Sequence, residues 1–286
     1  MTKTLNQRKV EYHYHGHSHG PVIRMVSPGD LGERLKPFVF LDYFNPVKTE
    51  QLNFPAHPHS GIATLTWARG GDVVYWDNSG QNGTIHAGGI EWMNAGGGAW
   101  HQSRAVGEGR MTGFQLWVAL PPLVEDGAAQ GQYIPPESVP MARISGGDIR
   151  VLLGQLEPVA EDRGSEGRNL RHSSSIVTHQ DMNYFIVRLD AGAEWSYLPP
   201  SHHDVAWAMV FDGDGSVNGQ RSQMEVLVLS SDSGSIEMKA GAQESWFVLG
   251  TAKRHDYPLV LGRSSVHTNR ASLHSALKRI ADTVPR

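Results

Sequence analysis

Short strand-like runs, each closed by a glycine- or asparagine-bearing turn, recur along this chain and leave little room for helix. Val73-Val74-Tyr75-Trp76 is representative, with Arg69-Gly70-Gly71-Asp72 before it and Asp77-Asn78-Ser79-Gly80 after it. Val22 to Val26, Phe38 to Leu41, Ala63 to Trp67, Ile90 to Met93 and Thr112 to Leu120 share that texture in the first half. Ile149 to Leu153, Tyr184 to Leu189, Ala206 to Phe211, Val226 to Leu229 and Ser245 to Leu249 repeat it in the second. β-Branched and aromatic residues favour the pleated backbone, and glycine supplies the positive φ that tight turns need. Strands at this short, regular spacing imply an all-β chain built of antiparallel barrels or sandwiches.

At 286 residues the chain is long for one domain, and two halves of similar pattern imply a duplicated fold. The expected division is a first domain at 1–123, a polar, proline-bearing linker at 124–140, and a second domain at 141–286. One helix is expected near the end, where Leu273, Leu277 and Ile280 recur on one face after Asn269 or Thr268 as cap. Lys278 and Arg279 suit the dipole at its C-terminal end.

Composition removes several function classes. The chain has no cysteine, so disulfides, thiolate metal sites, iron–sulfur clusters and cysteine nucleophiles are excluded. Histidine and carboxylate remain as metal ligands. A net charge of −4 with mixed signs offers no basic stripe for nucleic acid. The first residues lack the apolar core of a signal peptide, and no apolar run reaches membrane-spanning length. A cytoplasmic protein without membrane contact is therefore expected.

His57-Pro58-His59 carries the most chemistry. On an extended chain the side chains of i and i+2 share a face. His101, arriving on another strand after Gly96-Gly97-Gly98-Ala99-Trp100, would complete one side of a coordination sphere. Imidazole suits Fe, Ni, Cu or Zn, and three protein ligands leave positions open for water, dioxygen or substrate. The competing reading is a surface loop that happens to contain two histidines. His13, His15, His17 and His19 also alternate, so on an extended chain they share a face that could chelate an ion, and the competing reading, which is preferred, is a solvated N-terminal strand or tail. His202 and His203 would face opposite ways on a strand, so no second ion is expected there. His86, His172, His179, His267 and His274 are read as surface or turn residues.

Five segments together resemble the pirin family of the cupin superfamily. They are Lys36-Pro37-Phe38-Val39-Phe40-Leu41-Asp42-Tyr43-Phe44, Phe54-Pro55-Ala56-His57-Pro58-His59-Ser60-Gly61, Trp92-Met93-Asn94-Ala95-Gly96-Gly97-Gly98, Gln115-Leu116-Trp117-Val118 and Val266-His267-Thr268-Asn269. The likeness implies two cupin (double-stranded β-helix) barrels with a C-terminal helix, and one ion, commonly iron, in the N-terminal barrel. Transferred position by position, the ligands are His57, His59 and His101. The family's fourth ligand, a Glu two residues after the third His, falls on Ser103. The Glu that cupins in general place four residues after the His pair falls on Ala63. Where the family often has Arg, near the expected pocket mouth, this chain has Gly97.

The missing carboxylate matters because a carboxylate lowers the charge of the centre and can act as general base, and the neutral Ser103 hydroxyl does neither. Glu91, on the strand leading into the glycine-rich loop, is either a substitute or an ordinary strand carboxylate. Gln102 and Gln115 are candidates to hydrogen-bond a metal-bound water. Phe54, Trp92 and Trp100 are candidates for an apolar wall, with structural core as the alternative. The resemblance implies a quercetin 2,3-dioxygenase-like oxygenase using one divalent transition metal, Fe(II) first and Ni, Mn, Cu or Zn as alternatives. Its substrates would be a small aromatic or enol compound and dioxygen. The alternative is a non-catalytic metalloprotein serving as a redox-sensitive protein partner or transcription cofactor.

Overall fold

The computed structural model describes residues 6–46, 51–107, 110–158 and 170–285. The chain opens with β1 (Val10–His15), β2 (His17–His19), β3 (Val22–Val26), the short helix α1 (Leu31–Leu35), β4 (Phe38–Phe44) and β5 (Asn53–His59). Then come β6 (Ile62–Arg69), β7 (Asp72–Asp77), β8 (Asn82–Ile85), β9 (Ile90–Asn94), β10 (Ala99–Val106), β11 (Thr112–Ala119) and β12 (Gln130–Ile134).

Two compact units result. One comprises His17–Val139 with His255–Arg286, the other Met1–Gly16 with Pro140–Arg254. In the first, a seven-stranded sheet runs β12-β9-β6-β11-β4-β3-β2 and a four-stranded sheet runs β5-β10-β7-β8. Val22, Phe44 and Ala68 from the larger sheet pack with Val73, Tyr75, Ile85 and Ala105 from the smaller. β7 shows why: its buried positions alternate, Val73, Tyr75 and Asp77 inward, as a half-buried strand requires. Between β5 and β6, Gly61 has φ +69° and a Cβ there would lie 2.0 Å from the Val266 carbonyl oxygen. Only glycine lets the histidine strand turn so closely back into the sheet.

The second unit repeats the plan. Its seven-stranded sheet carries the buried strands Met182–Leu189, Val205–Asp212 and Ser245–Ala252 at its centre, and a four-stranded sheet contains Glu194–Tyr197 and Ile236–Ala240. Phe185, Val210, Leu227, Phe247, Tyr197 and Met238 fill the space between the two. The duplicated all-β fold expected from the strand pattern is thus present, in the two-sheet form that the resemblance to cupins implies. The barrels are not closed, however. Among the described residues no strand of a larger sheet pairs with its smaller partner, so each unit is an open two-sheet sandwich. The chain crosses between sheets through turns such as Ser60-Gly61, where the ladder is interrupted.

The units also differ from the 1–123, 124–140 and 141–286 division. β1 pairs along its length with Glu225–Leu229 and so belongs to the second unit. β12, inside the supposed linker, extends the first unit's sheet by pairing with β9. In both cases a sheet edge offers unpaired backbone groups, and a distant segment satisfies them. The terminal helix α2 (Arg270–Asp282) belongs to the first unit. Asn269 caps it by accepting from the Ser272 amide at 2.9 Å, while Ala276 and Ile280 form its buried face and Leu277 stays exposed. Among the described residues, no helix is long and apolar enough to cross a membrane.

Candidate metal centre

β5 places His57 and His59 two residues apart on one face, and β10 runs antiparallel beside it with His101 opposite His57. The Nε2 atoms of His57 and His101 are 3.0 Å apart. The three ring centroids lie 4.5 to 4.8 Å from one another. His57 Nδ1 donates to the Pro55 carbonyl at 2.8 Å and His59 Nδ1 to the Ser264 carbonyl at 2.9 Å. A carbonyl can only accept, so both protons sit on Nδ1 and both Nε2 atoms carry a lone pair, that of His57 turned to His101 Nε2. Burial lowers the pKa of all three rings, His59 to about 3, so each stays neutral as a metal ligand must. Two nitrogens bound to one ion at about 2.1 Å and at right angles would stand about 3.0 Å apart, so the donor set fits a divalent transition ion.

The neutral rings carry a measurable cost at low pH. His59 (about 3) and His255 (about 4) titrate below their ordinary 6.5 because both are buried. The unfolded chain then binds more protons than the folded one, so stability is intact above pH 6.5 and declines as pH falls towards the folded values. For metal-free protein at pH 5, His59 alone is expected to remove about 2 kcal/mol. Urea unfolding at pH 7 and pH 5 measures it, and equal stabilities would contradict it.

The rings stand at the edge of a cavity of about 350 Å³. Phe40, Phe44, Phe54 and Trp117 give it apolar walls, with Phe40 and Trp117 stacked at 3.9 Å and 7°. Ser103, Thr66, Gln115, Arg24 and Asp42 give it polar ones. Arg24 forks onto the Asp42 carboxylate and lies over the Phe40 ring. Burial raises the Asp42 pKa, against the lowering effect of Arg24.

Several expected roles fall elsewhere. Gln102 alternates with His101 and Ser103 along β10 and faces solvent. Trp100, on that same outer face, donates from Nε1 to the Ile280 carbonyl of α2 at 3.1 Å. Trp92 alternates with Glu91 and, like Trp100, does not border the cavity. Of the three aromatic candidates only Phe54 does. Gly97 lies beneath α2: Arg279 donates to its carbonyl at 3.0 Å, and a Cβ at 97 would lie 2.2 Å from Arg279 Nη2. An Arg side chain fills that space, but from the helix. His267 is buried rather than on the surface, its Nε2 2.9 Å from Ser60 Oγ. His202 and His203 converge on Asp181 at 2.6 and 2.9 Å, because they lie in a turn where strand alternation does not apply. His13 and His15 reach Glu225 on the exposed surface. Thr66, Arg24 and Ser264 were missed by sequence reasoning. Thr66 carried a weak signal, one of two threonines inside a largely apolar strand; Ser264 carried none.

Residues 21–118 match the family model described as Pirin. Over 280 residues the chain is 29% identical to a Pseudomonas aeruginosa protein named "Putative quercetin 2,3-dioxygenase", covering 94% of each. It is 41% identical over 125 residues to a "Pirin-like protein" of Caulobacter vibrioides, covering 42% of this chain and 45% of that one. The crystal structure of a quercetin 2,3-dioxygenase from Acinetobacter baumannii superposes with a TM-score of 0.83 at 26% identity, covering 97% and 98% of the two chains.

Proposed function

We propose that this chain, whose residues 21–118 match the family model described as Pirin, is a pirin-like mononuclear metalloenzyme carrying out quercetinase-like dioxygenation of a small, flat aromatic enol. His57, His59 and His101 hold the ion, Fe(II) in the first instance. The observation that carries the reading is the convergence of three neutral imidazoles, two of them oriented by backbone carbonyls, on the edge of an aromatic-walled cavity of about 350 Å³. That volume suits a small planar ligand. When bound, the ion supplies Lewis acidity and a redox centre for dioxygen chemistry.

The rest is the work of the protein. The stacked Phe40 and Trp117 rings form an apolar wall for an aromatic substrate and exclude water beside the histidines. The Arg24–Asp42 pair and the Gln115 amide are the polar groups available to orient its hydroxyls. Ser103 occupies the position of the family's carboxylate and borders the cavity without being able to take a proton there. That same observation favours a second reading, a non-catalytic metal site whose oxidation state is sensed by a protein partner.

Dioxygen uptake separates the two. Protein loaded with Fe(II), Ni(II) or Mn(II) and given a flavonol panel is expected to consume about one dioxygen per flavonol cleaved. Ser103→Glu is expected to raise turnover by ~10²-fold, the low end of what a placed general base contributes. No uptake with any loaded ion would eliminate the enzyme reading and leave the second.

A further inference from the structure

Six polar residues stand in one row across the larger sheet of the first unit. Register places Arg24 opposite Asp42, Asp42 opposite Gln115, Gln115 opposite Thr66, Thr66 opposite Glu91, and Glu91 opposite Tyr133. Directly opposed residues project to the same face of a sheet, so this is one continuous stripe. Arg24, Asp42, Gln115 and Thr66 border the cavity, and Glu91 lies one strand beyond Thr66, 4% exposed.

Thr66 Oγ1 is 2.8 Å from Glu91 Oε2 and 2.9 Å from Gln115 Oε1. A hydroxyl has one hydrogen, so it cannot donate to both oxygens at once. If Glu91 is protonated, Glu91 donates to Thr66 and Thr66 donates to the Gln115 carbonyl. The Gln115 Nε2 is then left over, and it is indeed buried with no hydrogen-bond partner among the described residues. If Glu91 is ionised, Thr66 donates to Glu91, and the Gln115 amide must turn over so that its N–H donates to Thr66. Its carbonyl is then left over instead.

We propose that Glu91 is a proton-linked switch for the cavity, whose protonation state decides whether Gln115 offers a bound substrate an N–H donor or a carbonyl acceptor. Ionised Glu91 presents the acceptor, which suits a substrate hydroxyl. Protonated Glu91 presents the donor, which suits the oxyanion left when that hydroxyl ionises. The count closes: the substrate O–H bond breaks, one proton is bound by the Glu91 carboxylate, and the net charge of the cavity is unchanged. Glu91 thereby does at a distance what Ser103 cannot do, acting through Thr66 and Gln115 as a positioning residue. The groups facing it are Thr66 on β6, Tyr133 on β12, and Tyr75 and Asp77 on β7. Burial, with a further push from Asp77, raises the Glu91 pKa to about 7, so both states are populated near neutrality.

The switch is testable on metal-free protein without substrate. Infrared spectra should contain a protonated-carboxyl band that titrates near pH 7 and is lost in Glu91→Gln. The Gln115 side-chain amide signal in nuclear magnetic resonance should shift with the same midpoint in the wild type and stay flat in Glu91→Gln. Thr66→Val, nearly isosteric, should keep the carboxyl titration but uncouple Gln115 from it, which covers the case that Glu91→Gln does not fold. A Gln115 signal indifferent to pH in the wild type, or still coupled in Thr66→Val, overturns the proposal. The link to substrate rests on the function proposed above and has its own arm. With metal-loaded protein near pH 8, calorimetry of quercetin binding in two buffers should find Glu91→Gln releasing about one proton more per ligand than the wild type. Equal release overturns the link. If quercetin binds neither protein, the flavonol reading fails while the substrate-free arm still decides the switch.

Discussion

Replacing His101 with alanine is expected to lower metal affinity by more than ~100-fold, the upper end of what losing an outer-shell partner alone costs. His101 is the ligand supplied by a second strand, so its loss leaves two imidazoles from one segment of β5. Those two keep their orientation, because Pro55 and Ser264 fix them independently of His101. The substitution is expected to leave the fold intact, since the backbone register of β10 with β5 and β7 does not use the imidazole. Elemental analysis after dialysis against a competing chelator should find about one ion per wild-type chain and almost none in the variant. Retention of the ion by His101→Ala would mean that the three rings do not act together.

Removing the Glu125 carboxylate should have the largest effect on stability. This residue, 1% exposed, accepts from the Thr268 amide at 2.6 Å, the Thr268 hydroxyl at 2.7 Å and the Asn269 side chain at 3.4 Å. It therefore holds the residues that begin α2. Glu125→Ala strands a buried amide and a buried hydroxyl, and should cost about 3 kcal/mol or more. Thermal unfolding measures the loss, and hydrogen exchange across α2 shows where it occurs. The Ser264 carbonyl that orients His59 lies four residues before Thr268, so metal affinity is also expected to fall, by about 10-fold. Glu125→Gln, which preserves shape and some acceptors, should lose less on both counts. An unchanged melting temperature in Glu125→Ala would contradict the latch.

The strand pattern and the histidine spacing were legible because both depend on local rules. Alternation on β5 brings His57 and His59 to one side, and the glycine-rich loop returns His101 on the adjacent strand. The same alternation, followed through β9 and β10, would have turned Trp92, Trp100 and Gln102 away from the cavity. What local rules could not supply was the identity of distant edges. That β1 closes one sheet and α2 belongs with the other unit depends on contacts between residues 180 or more positions apart. The polar row from Arg24 to Tyr133 was hidden for the same reason. Glu91 and Gln115 stand out singly, but only the registers of six strands place all six residues side by side.

Crystals grown with Fe(II) and measured across the iron absorption edge would decide the matter of the centre. One anomalous peak is expected about 2.1 Å from each Nε2 of His57, His59 and His101. A map with no peak there in the presence of excess metal, or with the ion bound elsewhere and the three rings turned apart, would contradict it.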